Sequence, residues 1–450
     1  MHKSPNILYL HCHDAGRYLS PYGHAVPTPN LKAFADRATV FRQAFCANPT
    51  CSPSRAALLT GMYAHESGML GLNHRGFQLN DHRQHLAYQL KENGYHTVLC
   101  GIEHELHPHV DQVYNDTYSL ASSVTDEADD EYLDERVAGA ASDWLSNHQD
   151  ETPFFMSCGF FFPHREFPEG PNEFSPKSIK VPDPMPDTAE TREDMSNYCA
   201  AVQIMDRAAG QVLEALAASR HADNTIVVFT VDHGIAFPFM KCNLTDSGIG
   251  VGLILDFPGN EKRGQVIDEM VSHVDVFPTL CELTGLEAPG YLRGTSLLPL
   301  FEAQSSPVRE EIFAEVNYHA GYEPSRCIRT NRYKLIKRYA KDKRLNPVNV
   351  DDSPSKRLFK SLHFEEINYP ESALYDLLVD PHERNNLARN PACVNVLKDL
   401  QSRLENWMRE TSDPLLDGPI PLPEGAFINE REAYEPSPTG TLRHGPWLPE

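Results

Sequence analysis

Five stretches of the chain are apolar at nearly every position: NILYLH (6–11), HTVLCG (96–101), PFFMSCGFFF (153–162), TIVVFTV (225–231) and GLILDF (252–257). Continuous apolar runs of this length suit strands covered on both faces, as in a parallel sheet. Between them lie helical patterns. Residues 130–147 and 192–219 carry apolar side chains at helical spacing, and Met195, Val202, Met205, Ala209, Val212 and Leu216 form one stripe on the second. In TPNLKAFADRA, Thr28 reads as a cap and Pro29 as a first-turn residue. The βαβα order predicts a doubly wound, mostly parallel α/β sheet over residues 1–305. After about residue 305 the pattern changes to short strands at 310–318, 325–331 and 333–339. A polar insertion (341–357), a turn-rich stretch (372–391) and a long amphipathic helix (392–411) follow. These predict a smaller α+β domain over 306–450. The tail from Pro414 is rich in proline and is expected to wrap the surface or stay mobile.

Composition narrows the partners. The net charge of the 450-residue chain is −23, which argues against nucleic acid or an anionic membrane as a main partner. A small anionic substrate then needs a local cluster of cations. No run approaches the ~18 apolar residues of a membrane span. The stretch MHKSPNILYLHCHD has no apolar leader with a small-residue cleavage site, so the expected location is cytoplasmic. The ten cysteines are scattered without CxxC pairs and are expected to be reduced core residues. The sequons at Asn115 and Asn243 then carry no meaning. The sequence sets no oligomeric state.

In open α/β sheets ligands bind beyond the carboxyl ends of the strands. After the first strand come His13 and Asp14, and after HTVLC comes His104. After the PFFMSCGFFF strand comes His164. After TIVVFTV come Asp232 and His233, with Lys241 a little later. One such histidine is more often a plain loop residue than a ligand, but four strand ends delivering such groups to one sheet edge suggest a metal and anion site. His13, Asp14, Asp232 and His233 make a mixed set around one divalent ion. Carboxylates suit calcium, whereas imidazoles favour manganese, zinc or iron, so the metal is open.

The stretch CSPSRAALLTG (51–61) is more specific. Its Cys-x-Pro-Ser-Arg followed by Leu-Thr-Gly resembles the motif of type I sulfatases, in which the cysteine is oxidised to formylglycine. VDVFPTLCELTG (274–285) and LRGTSLLPL (292–300) resemble later segments of that family. TVDHGIAFPFMKCNL and ALYDLLVDPHERNNLARNP resemble its sulfamidase branch, the N-sulfoglucosamine sulfohydrolases. The resemblance implies an alkaline-phosphatase-like doubly wound mixed sheet with a small C-terminal domain. It implies Cys51 as the formylglycine, made by a formylglycine-generating enzyme, and Arg55 as the group that holds the hydrated aldehyde. His104, His164 and Lys241 surround the sulfate and its leaving group. His13, Asp14, Asp232 and His233 hold the metal, calcium by family likeness. Pro53 and Ser54 are expected to make a turn, with RAALLTG starting a helix whose amides face the anion.

Three departures bear on the substrate. The family's Gly-Lys-x-His segment reads Gly101-Ile102-Glu103-His104, so one cation is missing, with Arg17, His74 or Arg75 as replacements. The paired aspartates read His13-Asp14. The usual Asp-Asn reads Asp232-His233, which resembles formylglycine-dependent phosphonate monoester and phosphodiester hydrolases. Asn317 and His319 are candidate sugar contacts. The acidic runs TDEADDE and NVDDSP read as solvated surface, and Leu404 with Trp407 as core packing. The leading expectation is hydrolysis of a sulfate ester or N-sulfate, on a sugar or aryl group. Two alternatives are a phosphonate monoester or phosphodiester hydrolase on the same scaffold, and a non-catalytic binding protein that kept the fold.

Overall fold

The structure, a computed structural model, describes residues 4–118, 132–169, 174–302, 306–431 and 433–436. Nine strands form the large sheet: β1 (Asn6–Cys12), β2 (Thr39–Phe45), β3 (His96–Gly101), β4 (Asp116–Tyr118), β5 (Phe154–Phe160), β6 (Thr225–Val231), β7 (Gly250–Val251), β8 (Leu253–Asp256) and β9 (Val266–Ser272). Their order is β4-β3-β5-β1-β6-β8-β2-β7, with β9 also paired to β2. From β4 through β6 every pair is parallel. β8 then runs antiparallel to β6, and β2 antiparallel to β8, so the sheet is mixed. β1, β5 and β6 are buried at every position, as their unbroken apolar runs require. β2, paired to β7, β8 and β9, and its neighbour β9 escaped the pattern because Arg42, Gln43, Asp268 and Glu269 interrupt them with exposed or half-buried polar positions.

Two groups of helices pack the faces. Pro29–Ala35 and Leu133–Asn147 lie against the long helix Ala189–Ala218, whereas Cys51–Thr60 packs with Leu86–Glu92 and Val276–Thr284. All six stripe residues of the long helix are buried, and so are Tyr198, Cys199, Ala201 and Ala208, because neighbours cover more than one face. The expected cap Thr28 makes no side-chain cap bond. Asp206 from the long helix does that work, accepting from the Asn30 and Leu31 amides at 3.0 and 2.8 Å.

The second sheet is antiparallel, β10 (Glu311–Tyr318), β11 (Tyr322–Thr330), β12 (Tyr333–Arg338) and β13 (Ser372–Asp376). β13 lies in the stretch read as turns. The helix Val394–Glu410 covers this sheet with Leu400, Leu404, Trp407 and Met408 buried, each worth about 1.5–3 kcal/mol, and Trp407 stacks on Phe313 at 4.9 Å. Ionic ties join the two sheets' domains, among them His65 to Glu315 at 2.9 Å, Asp246 to Arg329 at 3.0 Å and to Lys334 at 2.6 Å, and Lys241 to Asp351 at 3.0 Å. The tail wraps the surface as far as it is described. Asn429 bonds both Arg75 and the Ala320 carbonyl, bridging the domains. The TDEADDE run and the boundary at 305 lie outside the described residues. All ten cysteines are free, and no helix among the described residues is long and apolar enough to cross a membrane.

Candidate active site

β3, β5, β1 and β6 are neighbours, all parallel, and end nearly level: Gly101 faces Gly159, and Cys12 faces both Phe160 and Val231. The sheet therefore delivers His104, His164, His13 with Asp14, and Asp232 with His233 to one edge. Gly234 makes the last turn possible. A side chain there would lie 2.0 Å from the Ser247 carbonyl, so only glycine lets the chain after His233 pass that close. Asp14 sits at φ +44°, stiffened by the hydrogen bond its backbone N–H donates to Asp232 Oδ1 at 2.9 Å.

Cys51 begins its helix rather than preceding it. The bend falls at residues 47–50, and Pro53 and Ser54 lie within the first helical turn, correcting the expected turn at those two. Proline is tolerated there because a first-turn amide has no partner within the helix. Ser54 Oγ donates to the Asp232 carbonyl at 2.5 Å and pins the helix to the β6 tip. Cys51 Sγ consequently lies 3.4 Å from His233 Nε2. Burial pushes the thiol pKa well up, so the unmodified cysteine is a protonated, poor nucleophile.

Around it the donors converge. His233 Nε2 is 3.3 Å from Asp14 Oδ1 and 3.7 Å from Asp232 Oδ1. His13 Nδ1 is 3.2 Å from Asp232 Oδ2 without hydrogen-bond geometry. Two overlapping sets, His13, Asp14, Cys51 and His164, and Asp14, Cys51, Asp232 and His233, each have donor atoms within 4.8 Å of one another. His13 is fully buried, yet neither ring nitrogen has a hydrogen-bond partner, and neither does Asp14 Oδ1. Buried polar atoms are almost always satisfied, so orphans aimed into a carboxylate–imidazole cluster fit a divalent cation. The His104 and His164 rings lie 4.9 and 5.1 Å from that of His13.

Charge is balanced closely. Burial works against ionising Asp232, but His233, Arg55 and His13 hold its pKa well below the usual range. Arg55 Nη2 bonds Asp232 Oδ2 at 3.1 Å, and Nη1 contacts His11 Nδ1, so the guanidinium clamps the β6 carboxylate from behind. Lys241 Nζ stands between Asp14 Oδ2 at 2.9 Å and Asp351 Oδ2 at 3.0 Å. Burial opposes its charge, but these two carboxylates raise its pKa well above the ordinary lysine value. His164 is lowered by burial and by Lys241.

The candidate substrate contacts divide. His74 is open to solvent but walled by protein. Desolvation with His104, Arg75 and His164 pushes its pKa down to about 3. His319 is buried near Lys241, Asp351 and His233, with Nδ1 unpartnered. Arg17 turns to the Ala44 carbonyl and the Phe45 ring, Arg75 is tied to Asn429, and Asn317 donates to Glu315. Ile102, where the family places lysine, is a core residue at 1% exposure.

Sequence reasoning missed three groups. Asp351 was read as solvated within NVDDSP, but its segment folds back so that the carboxylate meets Lys241, and no local pattern marks this. His11 lay hidden inside an apolar strand. Its ring fits only because residue 159 is glycine, where a side chain would lie 2.4 Å from it. Asp194 did leave a signal, a carboxylate in line with Tyr198, Ala201 and Met205. It pairs with Arg165 through two bonds of 2.7 and 2.9 Å. That pair anchors the loop whose Arg165 carbonyl bonds His164 Nδ1 at 2.6 Å.

The profile described as Sulfatase matches residues 5–286, and that described as N-sulphoglucosamine sulphohydrolase, C-terminal, matches residues 233–358. The chain is 29% identical to the N-sulphoglucosamine sulphohydrolase of Homo sapiens, over 92% of each chain. It is similar to a solved structure in complex with its substrate D-glucosamine-2-N,6-O-disulfate, with TM-score 0.69 and 20% identity over 91% of this chain and 99% of that one. It is also similar to the phosphonate monoester hydrolase of Agrobacterium radiobacter, with TM-score 0.66 and 21% identity over 90% and 96%. The fold is the alkaline-phosphatase-like one of sulfatase structures. Because the matched region holds every strand tip of the cluster and spans more than half the chain, the chain belongs to the sulfatase family.

Proposed function

We propose that this protein hydrolyses a sulfate ester or N-sulfate on a sugar and releases inorganic sulfate, with residue 51 as the nucleophile after oxidation to formylglycine by a formylglycine-generating enzyme. One observation carries the reading: residue 51 heads a buried helix, 3.4 Å from His233 Nε2 and inside the donor cluster. The named substrates of the relatives, N-sulphoglucosamine and a glucosamine disulfate, support a sulfated sugar.

The hydrated aldehyde carries two hydroxyls on one carbon. One hydroxyl attacks sulfur in line, its proton passing to His104 or His164, and the bond from sulfur to the alcohol or amine breaks. His104 or His164 gives the leaving group its proton. The second hydroxyl then gives its proton to the imidazole left neutral by the first step, the aldehyde C=O re-forms, and the C–O bond to sulfate breaks. Water rehydrates the carbon. Lys241 neutralises the sulfate, and the first helical amides face it. His13, Asp14, Asp232 and His233 would hold a divalent metal, which when bound neutralises the anionic substrate and orients it.

The Asp232-His233 pair favours a second reading, a phosphonate monoester or phosphodiester hydrolase. Paired assays on sugar N-sulfates, aryl sulfates and aryl phosphodiesters, with conversion at residue 51 verified, separate the two. Sulfate release as the faster reaction is expected. Turnover of phosphodiesters alone would overturn the sulfatase assignment.

A further inference from the structure

The donor atoms at the β1 and β6 tips specify more than a generic divalent ion. Resting on the metal assignment above, we infer that this site selects a first-row transition ion, of the manganese-to-zinc series, over calcium, and that the imidazoles of His13 and His233 make the selection.

The oxygen supply is the first reason. Calcium takes six to eight oxygen ligands. Two carboxylates face the site, and most of their oxygens are engaged. Asp14 Oδ2 accepts from Lys241 at 2.9 Å. Asp232 Oδ1 accepts from the amides of Asp14 and His233 at 2.9 and 2.8 Å, and Asp232 Oδ2 accepts from Arg55 at 3.1 Å. Asp14 Oδ1 is the one of these four without a hydrogen-bond partner. Arg55 and Lys241 also offset the negative charge a calcium site depends on.

Nitrogen is the second reason. His233 Nδ1 lies 2.9 Å from the Gly234 carbonyl. A carbonyl only accepts, so Nδ1 carries the proton and Nε2 presents its lone pair. That lone pair lies among Asp14 Oδ1 at 3.3 Å and Cys51 Sγ at 3.4 Å. A carbonyl fixing one ring nitrogen so that the other faces inward is the usual support of a metal-ligating histidine. His13 adds a second buried ring in the cluster, with neither nitrogen satisfied. Imidazole donors suit zinc, manganese, cobalt and iron rather than calcium.

The test reads metal, not turnover. A thiolate at residue 51 would itself recruit a soft ion, so competition is run on fully converted enzyme and on Cys51→Ala. Metal-free protein is dialysed against calcium, manganese and zinc together, and bound metal is counted by mass spectrometry. Cobalt loading reports nitrogen ligation through its visible absorption. The expected result is one transition ion per chain in both proteins, with calcium excluded. His13→Asp with His233→Asn should shift the calcium-to-zinc affinity ratio by at least about tenfold toward calcium and change the cobalt spectrum. Preferential calcium binding by both proteins overturns the inference. So does an unshifted ratio in a double variant that keeps its circular dichroism and melting temperature. A sulfatase that prefers calcium sinks this inference alone, and a zinc-binding phosphodiesterase sinks the functional reading alone.

Discussion

Acidification should unfold this protein steeply, and the slope can be worked from three buried histidines that are not themselves proposed ligands. Burial holds His11, His319 and His273 below their ordinary 6.5, the last at about 3. Arg55 reinforces this at His11, and Lys241 at His319. Unfolded, each would take up a proton as pH falls through 6.5, whereas the folded protein leaves them neutral. The unfolded state therefore binds more protons, and stability is lost as pH drops below 6.5. Each contributes about 1.4 kcal/mol per pH unit, together about 4. By pH 5 the loss reaches about 6 kcal/mol, a large part of the ~5–15 kcal/mol a domain has. His65, raised by Glu315, is protonated in both states below 6.5 and adds nothing there. The assay is the urea midpoint of metal-free protein followed by tryptophan fluorescence between pH 7.5 and 5. Thr230 Oγ1 spends its proton on the Gly252 carbonyl, so it accepts from His273 Nε2 at 3.0 Å; His273→Asn keeps a donor for Thr230 and should remove about 1.4 kcal/mol per pH unit from the slope. A flat profile over that range, or an unchanged slope in the variant, would refute the reasoning.

Arg165→Lys cannot keep both bonds to Asp194 and the bond to the Ala236 carbonyl, so a loss of about 3–5 kcal/mol is expected by denaturant titration. Because the same loop orients His164, kcat should fall about 10–100-fold at temperatures where the variant stays folded, and wild-type kcat would contradict this. Asp351→Asn keeps the shape but removes a negative charge beside Lys241, so KM for an anionic substrate should fall severalfold with kcat changed less; a raised KM would show that the carboxylate binds substrate instead.

Legibility followed physics. The parallel strands announced themselves because burial on both faces leaves no room for polar positions. The strand-tip residues followed from topology alone, since neighbouring parallel strands must end on one edge. β2 and β9 were hidden because polar residues interrupt their apolar runs, and β13 because its five residues sit in a turn-rich stretch. Asp351 was invisible because a carboxylate in a polar loop has no local signature, and only the fold carries that loop back to Lys241. The partners of Asn317 and Arg75 were equally illegible: Glu315 and Asn429 hold them, and only the fold brings Asn429 to Arg75.

The central claim is that the side chain at residue 51 attacks sulfur and needs a second hydroxyl to let go. Cys51→Ser tests it directly, because serine can accept the sulfuryl group but has no way to expel it. After incubation with a sugar N-sulfate or aryl sulfate, mass spectrometry of the residue-51 peptide should show the gain of one SO3, with about one equivalent of leaving group freed per enzyme and no sulfate released. An unmodified serine peptide alongside continuing turnover would contradict the account.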